Sequence, residues 1–104
     1  MIHVLVRHNV SDYGKWKSVF DADLEFRHKG GELNCRIFHN TDNLNDLTLL
    51  FEWENLEQAQ QYMSSQQVRD KMKQAGVAST PDIQYLGKCT AYAALRRTEI
   101  GRQQ

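Results

Sequence analysis

The sequence predicts an α+β domain of βαββαβ order, with two helical regions on one face of a four-stranded antiparallel sheet. Residues 49–77, LLFEWENLEQAQQYMSSQQVRDKMKQAGV, place an apolar strand directly before a capped and interrupted helix. Residues 10–20, VSDYGKWKSVF, begin an earlier helix. Strand-like runs precede, separate and follow these helical regions. A chain of this order folds as a split βαβ sandwich, whose second sheet face needs cover.

The first strand is predicted over Ile2–His8, where branched apolar residues alternate and Val4, Val6 and His8 share one face. Ser11 or Asp12 is the predicted N-cap of the first helix. That helix carries one mainly apolar face, formed by Tyr13, Trp16, Phe20, Leu24 and Arg27. The glycine pair at residues 30–31 is expected to end it.

The second and third strands are predicted over Leu33–His39 and Leu47–Glu54. The segment between them, NTDNLND, is rich in Asn and Asp, whose side chains favour turns. A β-hairpin is the simplest structure for this part of the chain.

The second helical region begins at Asn55, which forms a predicted capping box with Gln58. Two serines at residues 64–65 interrupt the helical pattern, and a second segment runs on to Gly76. We therefore expect a broken helix. The last strand is predicted over Asp82–Cys89, with Gly87 as a bulge.

Length and charge restrict the class of protein. The 104 residues suffice for one domain, but so short a chain leaves apolar surface that a partner subunit would cover. Thirteen basic and thirteen acidic residues give no net charge, so a nucleic-acid partner is not expected. The sequence has no apolar run of membrane-spanning length, and its two cysteines, Cys35 and Cys89, read as reduced thiols. A cytoplasmic protein without a membrane partner is expected.

Candidate pocket residues come from both helical regions. An apolar pocket with aromatic walls would be formed by Trp16, Phe20, Tyr62, Met63 and Met72. The alternative is that these side chains are ordinary core, since this spacing is typical of both. His8 is the candidate catalytic base, because it follows Val4 and Val6 on the face that looks toward the helices. A structural histidine is the alternative.

The sequence gives little support for a metal site or for a motif-based reaction. Cys35 and His39 would share a strand face, but two ligands of different softness do not make a metal site. No metal is expected. The sequence contains no GxGxxG, P-loop, HExxH or GxSxG motif.

Three segments, VSDYGKWKSVF, LFEWENLEQAQQY and VRDKMKQAGV, resemble the antibiotic-biosynthesis-monooxygenase-like family of the dimeric α+β barrel superfamily, over about residues 2–90. The resemblance implies a ferredoxin-like sandwich whose two subunits press their open sheet faces together. It also implies a small-molecule cleft between sheet and helices in each subunit. Family members include cofactor-independent oxygenases of polyketide-like aromatics, haem-degrading enzymes, isomerases and dehydratases, and fold alone does not choose among them.

The haem-degrading members use an asparagine on the first strand, a tryptophan on the second helix and a proximal histidine. Aligned through Glu52 and Trp53, these positions hold His8, Tyr62 and Met72. None of the three matches, and a thioether does not simply replace an imidazole as haem ligand. No haem and no other cofactor is therefore expected, and Trp53 reads as a structural residue.

Residues 1–90 are thus expected to form the ferredoxin-like barrel domain and residues 91–104 a C-terminal extension. This extension is predicted to pack through Tyr92 and Leu95, as a dimer-contacting arm or a short helix, with a ragged terminus as the alternative. The predicted function is a homodimer that binds a small hydrophobic or aromatic metabolite. It is either a cofactorless monooxygenase-like enzyme in which His8 transfers a proton, or a non-catalytic binding protein.

Overall fold

A computed structural model describes residues 1–89 of the chain. Four strands and four helices follow one another as β1 (Ile2–Asn9), α1 (Tyr13–Ala22), α2 (Leu24–Lys29), β2 (Glu32–Asn40), β3 (Asn43–Trp53), α3 (Leu56–Ser64), α4 (Gln66–Gln74) and β4 (Asp82–Leu86). All strand pairs are antiparallel, in the order β2-β3-β1-β4. The predicted α+β class and ferredoxin-like arrangement are confirmed.

The first helical region is two helices rather than the single helix that the spacing predicts. Asp12 is the N-cap, and its Oδ1 accepts the backbone N–H of Lys15. Asp23 breaks the region, with φ −92° and ψ 11° and a backbone N–H that is shared between the carbonyls of Val19 and Phe20. The apolar spacing continues across Asp23, so the sequence pattern does not reveal the break in the helix.

The hairpin is longer than predicted. β2 and β3 continue to Asn40 and Asn43, so the turn contains only Thr41 and Asp42. The Asn40 Oδ1 accepts the backbone N–H of Asp42, which is the side-chain turn bond that asparagine provides. β4 is shorter than predicted and ends at Leu86, so Gly87 is not a bulge within a strand.

The second helical region is broken as predicted. The Asn55 Oδ1 accepts the backbone N–H of Gln58 at the start of α3. Ser65 is extended, with φ −72° and ψ 145°, and its Oγ both donates to the Tyr62 carbonyl and accepts the N–H of Val68. One serine therefore ends α3 and begins α4.

The helices cover one face of the sheet, and the core lies between them. The apolar side chains buried in this core include Val4, Val6, Trp16, Leu47, Leu49, Phe51, Trp53, Ala59 and Met63. The strand pairing places Leu5, Leu50 and Phe38 on the opposite face, where Leu5 and Leu50 are half-buried and Phe38 is 51% exposed. In residues 1–89 nothing covers that face.

The C-terminal extension, residues 91–104, lies outside the residues that the structure describes. Its role and the packing of Tyr92 and Leu95 therefore stay predictions. Within the described part of the chain, no helix is long and apolar enough to span a membrane. The same residues contain no group of three or more His, Cys, Asp or Glu side chains arranged to hold a metal ion.

Candidate functional site

A cavity of about 70 Å³ lies between the sheet and the helices. All six residues that the sequence predicts for a site line it: His8, Trp16, Phe20, Tyr62, Met63 and Met72. They reach it from four elements, because β1 supplies the histidine, α1 two aromatic rings, α3 the tyrosine and one methionine, and α4 the other methionine. The pocket and core alternatives both hold in part, because Trp16 and Met63 belong to the buried core and Phe20 and Tyr62 pack against it, while all of them also line the cavity.

His8 is buried near the end of β1, with 5% of its surface exposed. Its ring meets the ring of Trp16 edge-on, with centroids 6.0 Å apart and planes at 66°. Within residues 1–89, the Nδ1 atom has no hydrogen-bond partner. Burial lowers the pKa of His8 below its usual value of 6.5, and a smaller opposing effect comes from its own backbone. The imidazole is therefore neutral near pH 7 and has a nitrogen available.

Stacked aromatic rings extend the cavity wall away from His8. Trp16 and Phe20, one helical turn apart on α1, stack with centroids 4.8 Å apart. Phe20 also lies 6.4 Å from the ring of Phe51 on the sheet. This wall is apolar and suits a flat, apolar ligand.

Tyr62 forms part of the cavity wall but also packs into the structural core. Its ring lies 4.8 Å from the ring of Trp53 and 5.6 Å from that of Phe26. Burial is the main cause that raises the pKa of Tyr62, so its phenol stays protonated. We therefore assign its wall position to packing and shape.

Charged residues form the other end of the cavity, and sequence reasoning missed their role. Arg27, Asp23 and Lys71 all line it. The Arg27 Nε donates to the Glu32 carboxylate at 2.6 Å, and its Nη1 donates to the Phe20 carbonyl. The guanidinium carbon lies 3.6 Å from the Phe20 ring centroid, a cation–π contact. The available signal was a charged residue, Arg27, on an otherwise apolar helix face.

Lys71 and Asp23 link the two helical regions across the cavity. The Lys71 Nζ lies 3.0 Å from the Asp23 carboxylate, although the two residues are 48 positions apart. The same ammonium lies 4.6 Å from the ring centroid of Phe26. Both side chains are partly exposed, so this pair stands where the cavity approaches solvent.

The other candidate residues are not part of the cavity. The thiol of Cys35 is half-buried, and burial, followed by the nearby Glu32 carboxylate, raises its pKa to about 12. A thiol of this kind is not a nucleophile at neutral pH. His39 is exposed, and its Nδ1 lies 2.7 Å from the Asn40 carbonyl. Neither Cys35 nor His39 lines the cavity.

The arrangement combines an apolar cavity, one neutral buried base and a cationic far end. A neutral imidazole can accept a proton from a ligand, and a dry apolar surround strengthens the electrostatic interactions made inside it. Near His8 the wall consists of apolar side chains, so the base has no competing charged partner there.

Comparison with known proteins gives relatives by structure alone. No protein-family model matches the chain, and no curated protein matches it. SnoaB, a cofactor-independent oxygenase from Streptomyces nogalater, superposes with a TM-score of 0.70 at 13% identity, over 89% of this chain and 97% of that one. An antibiotic biosynthesis monooxygenase superposes with a TM-score of 0.66 at 8% identity, over 86% of this chain and 100% of that one.

A conserved protein from Methanosarcina mazei gives a TM-score of 0.65 at 17% identity, over 84% of this chain and 91% of that one. Identities this low support a common fold and leave the activity open. The chain therefore has the fold of the antibiotic biosynthesis monooxygenase structures, which confirms at the level of the fold the resemblance read from its sequence.

Proposed function

We propose that this protein binds a small hydrophobic or aromatic metabolite between its sheet and its helices, and acts on it as a cofactor-independent, monooxygenase-like enzyme. The observation that carries the proposal is His8, a buried and neutral imidazole that opens on an aromatic cavity with Nδ1 unpartnered in residues 1–89. Buried polar groups in folded proteins are nearly always hydrogen-bonded, so an exception inside a cavity points to a ligand.

His8 would act as the general base. It removes an acidic proton from the bound molecule, and the resulting anion supplies the electrons that reduce dioxygen. A C–O bond forms, the O–O bond breaks, and the second oxygen atom leaves as water with the two hydrogen atoms that the substrate loses. A positioned base contributes about 10²–10⁴-fold to such a step. Trp16 and Phe20 would hold the ring of the ligand, while the surrounding apolar side chains exclude water. The likeness in fold to a cofactor-independent oxygenase is consistent with chemistry of this kind.

We also propose that the protein acts as a homodimer in the cytoplasm. The open sheet face supports the dimer, since Phe38 is 51% and Leu86 39% exposed there, beside half-buried Leu5 and Leu50. Both cysteines are free, as is usual in a reducing compartment. Light scattering would test the dimer, and a monomer at micromolar concentration would contradict it.

Oxygen uptake with His8→Gln tests the catalytic proposal. One-ring, electron-rich aromatic compounds are supplied in turn to the wild-type protein in an oxygen electrode. We expect uptake with at least one of them, and a loss of about a hundredfold or more in His8→Gln, because glutamine cannot take up the proton.

His39→Gln is the matched control, because His39 is an exposed histidine on the same sheet. Its rate should equal that of the wild-type protein. If His8→Gln keeps the wild-type rate, His8 is not the base. A protein that binds the ring compounds but consumes no oxygen would be the non-catalytic binding dimer.

A further inference from the structure

The two ends of the cavity differ in charge. At one end stands His8, which burial keeps neutral. At the other end, two cationic side chains and one anionic side chain line the space, namely Arg27, Lys71 and Asp23. Glu32, the partner of Arg27, is not among the lining residues, and its side chain is only 2% exposed. The ion pair therefore presents its positive member to the cavity.

Arg27 is held in a fixed position for contact with a ligand. Its Nε donates to Glu32 and its Nη1 to the Phe20 carbonyl, and its guanidinium carbon lies 3.6 Å from the centroid of the Phe20 ring. These two hydrogen bonds occupy the Nε and Nη1 atoms. The third nitrogen, Nη2, donates no hydrogen bond to any group of residues 1–89. A guanidinium in this state can donate to a carboxylate without being reorganised first.

The rings between the two ends set the shape of the ligand. His8 contacts Trp16, Trp16 stacks on Phe20, and Phe20 lies under Arg27, so the base and the cations stand at opposite ends of an aromatic wall. One water molecule needs on the order of 10–15 Å³ of cavity. The cavity of about 70 Å³ thus has room for the atoms of about one aromatic ring.

We propose that the cavity binds a one-ring aromatic carboxylate, whose carboxylate is held by Lys71 and Arg27 and whose ring lies against Trp16 and Phe20. The inference rests on the proposed function, because it concerns the same cavity, and it specifies the substrate class. The carboxylate would take the place of Asp23 as the partner of Lys71, since the two anions compete for one ammonium.

The first test compares benzoate with benzyl alcohol, a neutral molecule with the same ring, by isothermal titration calorimetry at pH 7.5 and low salt. We expect benzoate to bind at least about tenfold more tightly, because charge-assisted hydrogen bonds are roughly twice as strong as neutral ones. Equal affinities, or tighter binding of benzyl alcohol, would overturn the inference.

Two substitutions with opposite expected effects on the preference for benzoate test which residues bind the carboxylate. Lys71→Met should remove most of the preference for benzoate, and Asp23→Asn should increase it about tenfold by removing the competing anion. Lys73→Met is the control, because Lys73 lies on the same helix, α4, but does not line the cavity. Circular dichroism checks that each variant is folded. If Lys71→Met keeps the wild-type preference, or if Lys73→Met loses it equally, the assignment to Lys71 is wrong.

The outcomes separate this inference from the proposed function. If both ring compounds bind equally while oxygen uptake depends on His8, the anion inference fails and the enzyme proposal stands. If benzoate is preferred in the expected pattern while His8→Gln leaves oxygen uptake unchanged, the inference stands and the catalytic role fails. If neither compound binds at millimolar concentration, the inference is overturned.

Discussion

Trp53 and His8 are both buried nitrogen-containing rings on the helix-covered face of the sheet, yet their surroundings differ. Trp53, at the end of β3, is fully buried, and its Nε1 donates to the Gly30 carbonyl at 2.9 Å. His8, on the adjacent strand β1, has an Nδ1 with no partner in residues 1–89 and lines the cavity. The difference separates a structural ring, whose polar atom is satisfied within the fold, from one that is available to a ligand.

The region around Trp53 is also more tightly packed. Tyr62 and Phe51 pack on its ring, and Gly31 lies so close that an added Cβ would stand 2.6 Å from the indole nitrogen. Substitutions around Trp53 should therefore change the free energy of unfolding. Substitutions of His8 should mainly change activity and should change stability only through its dependence on pH.

The largest expected effect is that of Trp53→Ala. Removing a fully buried indole leaves a cavity and an unpaired carbonyl, so we expect a loss of about 3–5 kcal/mol in the free energy of unfolding. Urea denaturation followed by circular dichroism measures it. Trp53→Phe, which keeps an aromatic ring, should lose clearly less. A loss below about 1 kcal/mol for the alanine variant would contradict a structural role.

Gly31→Ala should have an intermediate effect. Gly31 has φ +114°, and its added Cβ would stand 2.6 Å from both the Trp53 Nε1 and the Gln58 Oε1. We expect a loss of about 2 kcal/mol from backbone strain and crowding together. Gly87→Ala is the control, because a Cβ at Gly87 would meet nothing within 4 Å. Equal stabilities of the two variants would show that the packing beside Trp53 is looser than described.

The smallest effect concerns the pH dependence of stability. Burial lowers the pKa of His8 in the folded protein, while in the unfolded chain the ring takes up a proton near its usual value of 6.5. The unfolded state then binds more protons, so the free energy of unfolding should fall as the pH decreases through 6.5. His8→Gln should show a smaller decrease over the same range, and His39→Gln should behave like the wild-type protein. Identical curves for all three would indicate that His8 is not buried.

Strand alternation and helical spacing, which depend only on residues close together in the sequence, predicted the residues at one end of the site. The alternation of Val4, Val6 and His8 placed the histidine toward the helices, and helical spacing placed Trp16 and Phe20 opposite it. The helix caps and the break at Ser65 also follow from local side-chain chemistry.

The remaining features depend on contacts between distant residues. The pair formed by Lys71 and Asp23 joins positions 48 apart, so no local spacing reveals it. Arg27 was placed on the correct helix face, but its partner Glu32 lies beyond a turn, at the start of β2. The cavity itself results from how four elements pack, and the same apolar spacing is compatible with a closed core.

The most direct test of the ligand site uses the two tryptophans of the chain. Trp16 lies beside His8, whereas Trp53 is fully buried elsewhere in the core. Trp16 lines the cavity and Trp53 does not. Their indole N–H signals are recorded by ¹H–¹⁵N NMR, assigned with Trp16→Phe, while benzoate and then benzyl alcohol are added. We predict that a bound ring shifts the Trp16 signal, because the ring lies against it, and leaves the Trp53 signal nearly unchanged. A larger shift at Trp53, or no shift at Trp16 with either compound, would contradict the assignment of the ligand site to the cavity that His8 and Trp16 line.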